Sequence, residues 1–295
     1  MLDLLEASKT SIKTYTDALS AHVSNLNNES TEGYKAVQYT FKSVFENVLN
    51  RGLAATSDRS ATNPMQFGGR GMLAEVRTDF SQGKLIDAGD LDLAISGNGL
   101  FPLYSPRHRE TVYSRNGRFR VSADSSQLVD SSNRPLLGWK INADGSIDSS
   151  DLVEMDIAGF DDLGWTDDGM LVSGFSAQED AVDFNKNNPD SPVDVPEATE
   201  LYQVALVNFP NTSGLERIDG TAFRESDASG FASSATLPGE NGLGVLSAQQ
   251  YEDSNVFESG ETIDALEVQR AMSASLTALQ LINRQMQEVV QAIAS

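Results

Sequence analysis

The chain has 295 residues and a formal net charge of −22, with 43 acidic side chains against 21 Lys and Arg. That balance argues against sequence-independent nucleic-acid binding, which needs cations to neutralise phosphates, and equally against docking on an anionic membrane. With no cysteine there are no disulfides and no thiolate chemistry, and no apolar run approaches the roughly 18 residues of a membrane-crossing helix.

Residues 1–28 read as a helix. Leu5, Ile12, Leu19 and Leu26 recur every seven residues, with Tyr15 and His22 between them in the same stripe. Asp3, Glu6 and Lys9 fall among the first apolar positions, which is not the pattern of a cleaved signal peptide. The turn-forming run 25–33, closed by Gly33, should end this helix. Val37, Phe41, Val44, Phe45 and Val48 suit a short helix or an extended arm, and residues 50–71 read as an irregular connector.

From Met72 the pattern changes to short β-like runs punctuated by Gly, Asn and Asp. Residues 91–95 alternate, Gly97-Asn98-Gly99 turns the chain, and 100–104 continue. Residues 111–113 and 118–121 flank Arg115-Asn116-Gly117, a hairpin signal because Asn-Gly adopts positive φ cheaply. Residues 140–200 hold 16 Asp and Glu against two Lys, a net of −14. They include strand-like pieces at 152–157 and 170–175 and an Asn/Asp/Pro/Ser-rich loop at 183–196. The stretch reads as an inserted, solvated segment rather than core. Residues 201–209 form a strand stopped by Pro210, and short strands follow to about 251.

The last stretch, 261–295, carries the strongest pattern. Ala265, Met272, Leu279, Met286 and Ile293 recur every seven residues, with Val268, Ile282 and Val289 three later and Ser275 the one polar break. A helix of ~35 residues is about 50 Å long, and one apolar stripe does not stabilise it without a partner. Two arrangements satisfy the pattern: the termini pair to close one domain, or they form a coiled-coil-like pair that packs against copies of itself. The expected fold is α+β. A discontinuous layer of terminal helices, residues 1–71 with 252–295, surrounds an all-β domain of residues 72–139 and 201–251, and 140–200 is an acidic outer insertion.

Chemistry is sparse. Asn142, Asp144, Asp148 and Asp151 occupy four ligand places of a calcium loop, with Gly145 at its turn, but Lys140 stands where the first carboxylate belongs; the plainer reading is an Asp-Gly turn between strands. Gly97 and Gly99 lack the third glycine of a dinucleotide fingerprint, since Pro102 stands there. His22 sits in the apolar stripe as a packed residue. His108 lies between two arginines, and the pairs Asp161-Asp162 and Asp167-Asp168 lie in turn-rich, solvated sequence. No catalytic, cofactor or metal residue is assigned, and an enzyme is not expected.

Several stretches resemble bacterial flagellar hook and rod proteins. VRTDFSQGKL (76–85), LDLAISGNGLF (91–101) and YSRNGRFRVSADSSQLVDSSNRPLLGW (113–139) are similar to that family's β-domain signature; residues 204–230 and 244–256 are similar to its return strands. SNLNNESTEGYKA (24–36) resembles its Asn-rich turn ending in Gly-Phe-Lys, with Tyr34 for Phe, and ALEVQRAMSAS (265–275) its C-terminal helix. LLGW and the 140–200 segment look hook-like, while the length lies between distal-rod and hook proteins. The resemblance implies a structural subunit of the hollow axial tube, exported unfolded without a cleaved signal peptide and located outside the cytoplasmic membrane. It implies copies of itself, neighbouring axial proteins, the export apparatus and an assembly cap as partners. The seam expected to carry assembly is Leu5, Ile12, Leu19, Leu26, Met272, Leu279, Ile282, Met286, Val289 and Ile293. The alternative is an acidic extracellular β-module with a helical stalk, loaded with calcium at 142–151.

Overall fold

Neither terminal segment contains proline, and glycine enters only at Gly260, so nothing interrupts a long helix at either end. In the computed structural model α1 spans Leu2–Asn27, α2 Phe175–Asn187 and α3 Glu258–Ala294, and the other described elements are short strands and one 3-10 turn. The structure describes residues 2–43, 48–50, 65–66, 72–142, 144–187, 193–196 and 198–294. The fold is α+β, with terminal helices and a β-rich middle. The chain divides into two compact units: Met1–Asn27, Val37–Arg77 and Phe257–Ser295 in the first, Asn28–Ala36 and Thr78–Val256 in the second.

In the first unit α1 and α3 run antiparallel, since His22 meets Glu261 while Thr16 lies against Met272 further along. Three threonines in α1 could compete with the helix backbone; Thr10, Thr14 and Thr16 instead donate their hydroxyls to the carbonyls of Glu6, Thr10 and Ile12, four residues back. Glu258 and Glu261 in the first turn of α3 complement its dipole. The arm after Ala36 is a strand, Val37–Ser43, paired with Met72–Thr78. Most of the 50–71 connector lies outside the described residues.

The second unit is built on two antiparallel sheets. One orders Glu216–Asp219, Ala222–Arg224, Glu110–Ser114 and Phe101–Ser105; the other orders Ile147–Glu154, Leu137–Ile141, Thr199–Val204, Met170–Ser173 and Leu163–Trp165. A shared core joins Leu93, Phe101, Leu103, Leu128 and Leu136 to Met155, Trp165, Leu171 and Val204.

Three expectations are corrected here. The acidic stretch 140–200 is not excluded from the core: Met155, Ile157, Trp165 and Leu171 are buried in it, and its charges lie on the exposed strand Ile147–Glu154, on α2 and in the turns between. Its 183–196 loop is preceded and partly replaced by α2, whose first turn is fixed by the Asp162 carboxylate accepting from the Ser176 amide and hydroxyl. Residues 111–121 do not form a hairpin. Strand Glu110–Ser114 pairs with Phe101–Ser105 and Ala222–Arg224, while Gly117 and Arg118 turn aside to bond Leu93 and Asp92. Long-range pairing overrode the local turn. Gly117 serves close approach instead, because a Cβ there would run into the Leu93 carbonyl.

Candidate assembly surface

The two long helices meet through small and polar side chains rather than through leucines. On α1 the buried residues are Thr14, Ala18, His22 and Asn25, spaced four, four and three. Leu5, Ile12, Leu19 and Leu26 flank this stripe and are only half-buried. On α3 Ala265, Met272, Ser275, Leu279, Ile282 and Met286 are half-buried, as are Gly260, Glu261 and Ala271, and Val268 alone is buried. Val289 is 45 % exposed, and the side chain of Ile293 lies outside the described residues. The pairing therefore leaves both apolar edges partly open to water, a cost of about 25 cal/mol for each Å² of apolar surface not covered.

More apolar surface is uncovered further round. Ile263, Leu266 and Leu281 project from the opposite face of α3, each roughly half exposed. Continuing the register of His22 with Glu261 and Thr16 with Met272, Leu2 comes opposite the stretch between Leu281 and Met286. The last eight or so residues of α3 thus run about 12 Å beyond the start of α1, and there Val290 is 65 % exposed.

At the other end the helix pair is locked by polar contacts. The His22 Nδ1 stands 2.6 Å from Glu261 Oε2; a carboxylate oxygen can only accept, so this nitrogen carries the proton. Asn25, fully buried, donates to Glu261 Oε1 at 3.0 Å and to the Val37 carbonyl at 2.9 Å, while its own oxygen accepts from the Val37 amide. One asparagine thereby fixes α1, α3 and the first strand together, with each of its polar atoms used.

The second unit has a polar centre that sequence reasoning missed. Glu252 is wholly buried and accepts from the Lys35 ammonium at 2.5 Å, from Arg115 Nε at 2.8 Å and from the Gly83 amide at 2.7 Å, while its carbonyl accepts from the Gly33 amide. Burial lowers the pKa of Lys35, and the charge of Glu252 opposes that shift. Arg115 also donates to the carbonyls of Ile95, Gly97 and Gly99. Tyr34 is buried beneath the Arg217 guanidinium, 4.4 Å from its ring, and Arg217 donates in turn to the Lys35 carbonyl. The Gly33-Tyr34-Lys35 turn is thus a built part of the β unit. Its quoted resemblance to the Gly-Phe-Lys turn was the signal; its partners, some 217 residues away, were not visible.

The remaining candidates have plain roles. Asp144 and Gly145 lie in the turn between two paired strands, with Gly145 at φ +77°. Asp144 and Asp148 each accept from the amide and hydroxyl of the serine two residues on, and those bonds hold both carboxyls below their ordinary pKa. Among the described residues no group of three or more His, Asp or Glu could hold a metal ion. His108 lies in an exposed turn.

No protein-family model matches the chain. It is similar to flagellar basal-body rod protein FlgG of Bacillus subtilis, 26 % identical over 291 residues, 98 % of each chain. It is also similar to the FlgG of Caulobacter vibrioides, 28 % identical over 90 % of each chain. The flagellar hook protein FlgE of Caulobacter vibrioides is 33 % identical over 90 residues, which are 30 % of this chain and 15 % of that protein. The resemblance to the rod and hook proteins is borne out, and the chain is similar to the rod proteins along almost its whole length. The rod alignments run through LLGW and the 140–200 segment, and the hook alignment covers 30 % of the chain.

Proposed function

From this relationship we propose that the chain is a structural subunit of the flagellar basal-body rod, located in the flagellum outside the cytoplasmic membrane. Copies stack through their terminal helices into a hollow helical tube that transmits torque. The observation that carries the reading is the pair of half-open apolar edges along α1 and α3, one at Leu5, Ile12, Leu19 and Leu26, the other at Met272, Leu279, Ile282, Met286 and Val289, with the end of α3 running past its partner. A monomer that leaves its longest helices half covered has a reason to associate. Full-length similarity to rod proteins, against partial similarity to a hook protein, favours rod over hook.

Export apparatus, assembly cap and neighbouring axial proteins are the further partners of this reading. Among the described residues no helix is long and apolar enough to cross a membrane. The test is genetic and biochemical together. Cells lacking the chain should lose motility and build incomplete basal bodies, and basal bodies isolated from complemented cells should contain it. Motile deletion cells with complete basal bodies would overturn the proposal.

A further inference from the structure

Asn-Gly occurs three times in the chain, at 98–99, 116–117 and 241–242, and the fold holds the three pairs differently. Asn116 is buried. Its Oδ1 accepts from the Arg118 amide, its Nδ2 donates to Ser131 Oγ, and Gly117 packs against the Leu93 carbonyl. Asn98 is exposed, but Gly99 after it is buried against the side chains of Leu243 and Leu206, and its carbonyl accepts from Arg115. Asn241 and Gly242 are both exposed. Among the described residues neither the Asn241 side-chain amide nor the Gly242 backbone amide has a hydrogen-bond partner.

The local backbone brings this third pair close to a reactive geometry. The Leu243 amide donates to the Glu240 carbonyl at 2.8 Å, and the two residues between take φ of +50° and +78°. That is a type I′ turn. Its ends are anchored: the Gly239 amide donates to the Gly244 carbonyl, the Gly244 amide to the Asn98 carbonyl, and Leu243 packs in the core. Flipping the Asn241–Gly242 peptide converts type I′ into type II′ and leaves the closing bond in place. Glycine accepts either sign of φ, and a Cβ at Gly242 would meet nothing within 4 Å, so the flip has room. In the flipped turn the Gly242 nitrogen faces Asn241 Cγ.

We infer that Asn241 is a site of spontaneous deamidation and backbone isomerisation, independently of the reading of the chain as a rod subunit. The Gly242 nitrogen, its proton taken by solvent base, bonds to Asn241 Cγ. The Cγ–Nδ2 bond breaks, and that nitrogen takes a proton from water and leaves as ammonia. Water then adds to either carbonyl of the cyclic imide, the ring C–N bond at that carbonyl breaks, and the Gly242 nitrogen regains its proton. Opening at Cγ gives aspartate; opening at the main-chain carbonyl gives isoaspartate. One water is consumed, one ammonia is released and no electron is transferred. Isoaspartate lengthens the main chain by a methylene between two anchored ends, next to the buried Leu243.

The test incubates the full chain, folded and in urea, at mildly alkaline pH in heavy-oxygen water, and follows the three Asn-Gly peptides by mass spectrometry. In the folded chain, exchange of the side-chain nitrogen for labelled oxygen is expected at 241. Conversion at 98 and 116 should be slower by on the order of tenfold or more, because those sites must first open locally. In urea the three rates should converge. Electron-transfer fragmentation should find isoaspartate at 241. Asn241→Gln, whose longer side chain closes the ring far less readily, should lose the fast conversion. A folded chain in which 241 converts no faster than 98 or 116 would overturn the inference, as would fast conversion that persists in Asn241→Gln.

Discussion

Glu252 faces two cations in a space with no water-exposed side, so the charges of Lys35 and Arg115 are tolerable only while it is ionised. Glu252→Gln keeps the shape and removes the charge, leaving two buried cations without a counter-ion. A loss of about 3–5 kcal/mol is expected. Both tryptophans, Trp139 and Trp165, are buried in the β unit, so tryptophan fluorescence, excited selectively over tyrosine, reads that unit during urea unfolding; an unchanged midpoint would refute the role given to Glu252. Lys35 gives a pH signature. Burial is the larger influence and holds its pKa below 10.5. Between that lowered value and 10.5 the unfolded chain binds the extra proton, so this group makes the fold gain stability as pH rises through the window and contributes no slope below it. Lys35→Met removes the group, and the difference between mutant and wild-type midpoints should therefore change on going from neutral pH into the alkaline range. A difference constant across that range would show that the ammonium is not desolvated as described.

At the scale of the elements, the terminal helix tests the assembly reading. Leu279 is half-buried on the inner edge of α3, and a carboxylate there would have no partner in an apolar seam. Leu279→Asp should prevent assembly while leaving tryptophan fluorescence unchanged; normal assembly would refute the seam, and loss of the fluorescence signal would show that the helices support the β unit's own fold. The heptad of α3 was legible in the sequence because its period is local and runs over four repeats with one polar break, Ser275. That α1 would present Thr14, Ala18 and Asn25 inward was not, because the leucine stripe masks a second stripe of small residues beside it. The failed hairpin at 115–117 and the missed α2 have different causes. Arg115 is drawn to Glu252, 137 positions away, whereas the anchor of α2, Asp162, lies only 14 positions before Ser176 in a stretch whose acidic, turn-rich composition masks a helix. The Gly-Tyr-Lys turn was recognisable as a motif, yet its function as the plug of a buried ion cluster was not.

For the whole molecule, charge sets the conditions of assembly. With −22 on each copy, subunits brought side by side repel over the Debye length, which shrinks from about 30 Å at 0.01 M salt to about 8 Å at 0.15 M. Sedimentation should find assembly promoted as salt rises over that range; weakening instead would mean that ion pairs, not apolar seams, hold the copies together. We also expect the charged surface of residues 140–200 to face outward in the polymer, so deleting part of the sequence 188–196 should leave assembly intact. The buried ion cluster has a kinetic consequence. Lys35 and Glu252 are 217 positions apart, which makes the β unit a closed loop whose clasp contains its first and last segments. Contacts so distant in sequence slow folding, because loop-closure entropy is lost before they form. A chain delivered from its first residue onward would remain unclasped until nearly all of it had emerged, and only then would the β unit shut behind it.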